Sequence, residues 1–249
     1  MSKIFKYDLK IILLKPYVFA MLIVELIYSY LILSSEIILG ISDTAPFSGW
    51  SFGTFLGKTT MVSLLVSFFI LSNLYSKRQK QVSILADVTG FSIRKRMLIR
   101  NVIIGGFFLL SNLLIFVEGC IFLYAIFGKI YIGTYIVEWL LITIPCLFIL
   151  LGAGNLLGRV SPALVYIFMA VIIVMAVILR DFGIDINGAN YFEVVSAALE
   201  SLKGGETPFT ITPQYLCTRL MYMIFGIVAL IAVSMRALLS DGRMNISHK

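Results

Sequence analysis

Six long apolar runs divide this chain, at about 17–37, 54–75, 101–127, 131–152, 160–180 and 213–236. A helix needs roughly 20 residues to cross about 30 Å of hydrocarbon. In lipid a lone segment satisfies its own backbone donors and acceptors only as a helix. The runs therefore read as an all-α membrane protein with six transmembrane helices. Composition agrees, since 60% of the 249 residues are hydrophobic and 13% are charged, against about a quarter charged in a soluble domain. The whole of 1–249 reads as one membrane domain with three appendages, at 1–16, 76–100 and 181–212.

The formal net charge of +7 has to be placed against the membrane before it suggests a partner. Lys3, Lys6, Lys10, Lys15, Lys77, Arg78, Lys80, Arg94, Lys95, Arg96, Arg100, Arg159, Arg236, Arg243 and Lys249 fall on one side of the six-span layout. Lys58, Lys129, Arg180, Lys203 and Arg219 fall on the other, with most of the acids. The basic side is expected to be cytosolic, with both termini inside. The charge then belongs to the inner membrane surface, and no nucleic-acid partner is needed. The start, MSKIFKYDLKIILLKP, lacks a small-residue cleavage site and is not read as a removable signal peptide.

Residues 3–15 have helical periodicity. Lys3, Lys6 and Lys10 lie on one side and Ile4, Phe5, Leu9, Ile12 and Leu13 spread over the other, as expected of a helix in the headgroup plane. Pro16 marks a break or a first turn. Ser42 to Gly53 reads as a turn-rich loop, and Gly128 to Gly133 as a tight connection. In the outer 181–212 segment, Tyr191, Phe192, Val194, Val195, Ala198, Leu199 and Leu202 share a helical face. Asn190 with Glu193 is expected to cap this helix, which lies at or dips into the outer interface.

Between the second and third runs lies SKRQKQVSILADVTGFSIRKRMLIRN, where seven basic residues meet one acid, Asp87. Gly90 suits a helix end and Ser92 a helix start. The pattern is helix, break, helix. Ile84, Leu85, Val88 and Phe91 give it an apolar stripe, which either packs on the ends of neighbouring spans or inserts into a partner's groove.

Chemistry is excluded more than it is indicated. The chain has no GxxxxGK[ST], and its one histidine is His248, which rules out HExxH and histidine-dependent nucleophiles. Cys120, Cys146 and Cys217 lack CxxC spacing and read as packing residues. No cofactor or metal is implied. Three acids fall within or near the spans, Glu25, Glu118 and Glu138, and an ionisable group at depth is a functional candidate by default. Glu118, Glu25 and Asn73 are candidates for a polar translocation path. Against that, Glu118 and Glu25 can simply pair within the bundle, and Glu138 can snorkel to the outer interface. Asn73, Asn112 and Asn155 can tie helices together, and Gly105, Gly106, Gly152, Ala153, Gly154 and Gly158 allow close helix approach.

The basic amphipathic N-terminal helix, six spans, helical cytosolic loop QVSILADVTGFSIRKRMLIRN and outer helical insert before the last span together resemble the ABC-2 type permeases, the membrane subunits of ATP-driven exporters. The chain carries Gln81 and Gly90 where many members have an acidic residue and a proline. The resemblance implies a permease in a cell membrane, the bacterial cytoplasmic one, that is not itself an enzyme. Its partners would be a second permease subunit and an ABC ATPase subunit on the cytosolic face. Val82, Ile84, Leu85, Val88, Phe91 and Arg94 would form the coupling surface, and spans two and five would line the path. The competing reading is a non-transporting scaffold or immunity-type protein that binds a ligand or peptide at its outer face through 181–212.

Overall fold

The computed structural model describes residues 2–41, 44–76, 93–177, 185–193 and 211–247. Every regular element among them is helical. Helix α1 is Ser2–Ile12. Helix α2, Pro16–Ser35, has its proline in the first turn and continues through a 3-10 turn at Ile37–Leu39. Then follow α3 (Gly49–Leu74), α4 (Ile93–Phe127), α5 (Ile132–Val160), α6 (Pro162–Val177), the short α7 (Ala189–Glu193) and α8 (Pro213–Ser247).

Among the described residues, five helices are long and apolar enough to span a bilayer: Pro16–Leu39, Gly49–Leu74, Lys95–Phe127, Ile132–Val160 and Pro213–Met235. The chain is thus a multi-pass membrane protein. The fifth apolar run appears as the shorter α6 of 16 residues, about 24 Å at 1.5 Å per residue, and residues 178–184 lie outside the described residues.

Helix α3 is the axle of the bundle. It touches α2, α4, α5, α6 and α7, and its inward residues Phe52, Phe55, Leu64 and Phe68 are buried. It also starts earlier than its apolar run suggests. Ser48 accepts the Ser51 N–H at 3.3 Å and caps the helix, so Gly49–Gly53, expected in a loop, are helical. The reason is packing: Phe52 stacks on Tyr135 of α5 with centroids 3.9 Å apart, and Trp50 packs on Tyr191 and Phe192. Helix α4 likewise begins at Ile93, so the end of the basic segment is a continuation of a span.

The broadest helix pairing joins α5 and α8. A Cβ at Gly152 would lie 2.3 Å from the Gly226 carbonyl oxygen, and one at Gly226 would lie 2.4 Å from the Phe148 backbone. Small residues here bring two backbones together, which is how helices associate where no hydrophobic gain is left. Gly158 packs on the Tyr75 ring and Gly154 on Phe68 and Leu71. Gly106 differs from the expectation, since it faces open space. The connection after α4 is tight as expected, with Gly128 at φ 64° in the left-handed region that favours glycine.

The outward faces are strongly apolar. Phe19, Ile23 and Ile27 of α2 and Leu220, Ile224, Phe225 and Val228 of α8 are exposed, as suits helices facing lipid.

Candidate functional site

The two ends of the bundle are built differently, and a polar layer lies between them. At the end where α3 begins, residues 185–193 fold back among the helices. Phe192 is fully buried and fills a notch at Gly53, where a Cβ would come within 2.3 Å of its ring. Asn187 donates to the Gly57 carbonyl at 3.1 Å, and Cys146 donates to the Ile186 carbonyl at 3.3 Å. The insert therefore penetrates between α3, α5 and α8. Unpaired backbone at such depth is expensive, and protein groups must satisfy it.

Arg219 of α8 does most of that. It is only 2% exposed, donates to the carbonyls of Ile186 at 2.8 Å and Asp185 at 2.7 Å, and pairs with the Asp185 carboxylate at 3.4 Å. Its guanidinium also lies over the rings of Tyr215 and Tyr222. Asp185 accepts the N–H groups of Gly188 at 2.8 Å and Tyr191 at 3.3 Å. It thereby takes the capping role that the sequence suggests for Asn190, which lies inside α7. Burial pushes the Asp185 carboxyl above the usual carboxylate range, while Arg219 and the backbone donors pull it back.

A second charge group sits beside it. Lys58 of α3 contacts Glu36 at the end of α2 and Glu193 of α7, the latter at 2.8 Å. With Tyr28, Asn187 and Asn190 these residues border a cavity of about 300 Å³.

Midway along the bundle, Glu25 is 1% exposed and accepts the Ser63 hydroxyl at 2.8 Å, with Ser111 also close by. Glu118 faces Ser29, one turn along α2 from Glu25. Thr60 donates to Asn112 at 2.8 Å, and the Asn112 carbonyl accepts the Trp139 indole at 3.2 Å. Oε1 of Glu25 and Oε2 of Glu118 are buried without a hydrogen-bond partner among the described residues.

At the other end, where α3 runs into the basic segment, a neutral tie links α3, α5 and α4, and charged groups hold α8 and α1 beside it. Tyr75 donates to Asn155 at 2.5 Å, and Asn155 donates to Asn101 at 2.9 Å. One amide on α5 thus ties the end of α3 to the start of α4. Arg159 reaches the Val233 carbonyl on α8 at 2.9 Å and the Met97 sulfur on α4 at 3.0 Å. Helix α1 lies on the root of α4, with Asp8 paired to Arg100 at 3.8 Å and Ile12 buried in the same core as Ile103 and Phe107.

Of the sequence-predicted residues, the structure brings Glu25 and Glu118 into one polar layer around Ser29. It leaves Asn73 apart, ten residues along α3 from Ser63 and about 15 Å away by helical rise. Val82, Ile84, Leu85, Val88 and Phe91 lie outside the described residues, as does the side chain of Arg94, whose backbone belongs to α4. Glu138 does not snorkel: it is fully buried, and neither carboxylate oxygen has a hydrogen-bond partner among the described residues. Sequence reasoning missed Arg219 and Lys58 by counting them only as outer-side charges. Each sits within an apolar helix, the signal that should flag it. No protein-family model, curated protein or solved structure matches the chain.

Proposed function

We propose that the chain is the permease subunit of an ABC-2 type exporter. It would have six spans, both termini in the cytosol, a translocation path formed with a second permease subunit, and ATP hydrolysis on a separate partner. The observation that carries this reading is the Tyr75–Asn155–Asn101 tie. It joins the two helices that bracket the basic 76–100 segment to the middle of the bundle. Force applied to that segment by an ATPase closing beneath it would reach α5 through this tie and α8 through Arg159. A conformational step of that kind switches access in many transporters.

Two further features fit. Helix α1 is pinned to the root of the helix that would act as the lever, and an insert precedes the last span, as the resemblance implies. The apolar character of α3 and α6 suits amphipathic or lipid-like cargo. The outer cavity at Lys58 favours the scaffold reading as a second possibility, because it offers a binding place that needs no ATPase.

The test is purification from its native membrane in mild detergent. An ATPase subunit is expected to accompany the chain, and the chain alone is expected to hydrolyse no ATP. The triple variant Ile84→Asp, Leu85→Asp, Val88→Asp should fold but lose that subunit. A chain that remains functional with this triple change, and with no ATPase bound, would sink the proposal.

A further inference from the structure

Glu25, Ser29, Ser63, Ser111 and Glu118 form a layer of oxygen atoms where α2, α3 and α4 meet. Glu25 and Ser29 lie one turn apart on α2, and Ser111 and Glu118 two turns apart on α4. That spacing puts each pair on one face of its helix. Ser63 reaches in from α3 and donates to Oε2 of Glu25 at 2.8 Å. Glu25 and Ser29 are 1% and 0% exposed.

The layer holds more acceptors than donors. Oε1 of Glu25, Oε2 of Glu118 and Oγ of Ser29 are buried without a hydrogen-bond partner among the described residues, although Ser29 faces Glu118. Ser111 donates to the Phe108 carbonyl at 3.1 Å, which leaves its oxygen lone pairs beside Glu25. Basic side chains are also lacking. Residues 16–35 of α2 and 101–127 of α4 contain no Lys, Arg or His, and Lys58 of α3 is engaged with Glu36 and Glu193. Hydroxyls orient toward a carboxylate without cancelling its charge, and an uncompensated acid inside a bundle is expensive.

The donor set selects the ion. Oxygen ligands suit a hard cation rather than a transition metal. Among the described residues no three His, Cys, Asp or Glu side chains gather in one place. Calcium takes roughly 6–8 oxygens, more than two carboxylates and a few hydroxyls present. The Born cost of dehydration also rises with the square of the charge, so a small, partly neutral donor set favours a monovalent ion. Glu118 is only half-buried and opens the layer to entry.

We infer that this layer binds one monovalent alkali-metal cation, held by Glu25 with Ser29, Ser111 and Glu118 around it. The site asks for no ATPase, so it stands or falls separately from the export reading.

The experiment is equilibrium binding of radioactive sodium to the purified full chain in non-ionic detergent, with choline replacing sodium at constant ionic strength. Saturable retention of about one sodium per chain is expected, the charge calling for a single ion. Tryptophan fluorescence gives a second readout, because the Trp139 indole donates to the carbonyl of Asn112, next to Ser111. Glu25→Gln should weaken sodium binding by about thirty-fold or more, and Glu118→Gln, on the open side, by about five-fold. Glu138→Gln removes another fully buried acid, one outside the layer, and should leave sodium binding unchanged. No retention of sodium above the choline background overturns the inference and leaves protons or water as the occupants. Displacement of sodium by an equal concentration of calcium also overturns it, as does a Glu138→Gln chain that loses as much as Glu25→Gln. If a variant fails to stay monodisperse, the sodium, choline and calcium comparison on the unaltered chain decides the matter alone.

Discussion

The insert end and the basic end of the bundle are tied together with different chemistry. At the insert end, formal charges do the work: Arg219 with Asp185, and Lys58 with Glu36 and Glu193. At the basic end, a phenol and two amides join α3, α4 and α5, with Arg159 bound to α8 and the Asp8–Arg100 pair holding α1 beside them. Removing one partner of a buried ion pair leaves an uncompensated charge, which costs about 3–5 kcal/mol. A neutral hydrogen bond is worth roughly 0.5–1.5 kcal/mol and can be exchanged for another. Breaking the Arg219–Asp185 contacts is thus expected to cost more than breaking the neutral tie between α3, α5 and α4.

That contrast can be broken most severely by Arg219→Met. It strands Asp185 and two carbonyls, and should cost about 3–5 kcal/mol, read as a fall in thermal midpoint in detergent. Adding Asp185→Asn should recover part of the loss. Gly226→Leu comes next. It forces apart backbones that touch at Gly152 and Phe148, with an overpacking cost of at least about 1–3 kcal/mol. Asn155→Leu should cost about 1–3 kcal/mol, two cross-helix hydrogen bonds at roughly 0.5–1.5 each. It should also raise hydrogen exchange at the end of α3 and the start of α4 but not in 185–193. If Asn155→Leu proves as damaging as Arg219→Met, the two ends do not differ as argued. The smallest effect should come from Gly106→Ala, which meets open space and should stabilise by about 0.4–1 kcal/mol, a control for the glycines that do touch.

Helix existence was legible because apolar runs of spanning length have one solution in lipid. Depth and partner were not. Glu25 is recognisable as an interior acid, yet its hydroxyl partner Ser63 sits on another helix at a spacing no periodicity encodes. The start of α3 was hidden because Gly49–Gly53 have turn-forming composition, and only the ring contacts of Trp50 and Phe52 with distant residues make them helical. Gly226 shows the same limit: its value lies in meeting Gly152, 74 positions earlier in the chain. Arg219 could have been found, since a guanidinium in the second turn of an apolar helix calls for a partner. That the partner is Asp185 depends on an insert folding inward, which its own residues state only through Phe192.

The Asp185–Arg219 pair also orders events in time. Its basic member lies on α8, which follows the insert in the chain, so the insert cannot be held in its final place until α8 has packed. Before then Asp185 and the carbonyls of 185 and 186 need water or another donor. Once α8 packs, Arg219 satisfies all three groups at once, so the placing of the insert depends on a helix made after it.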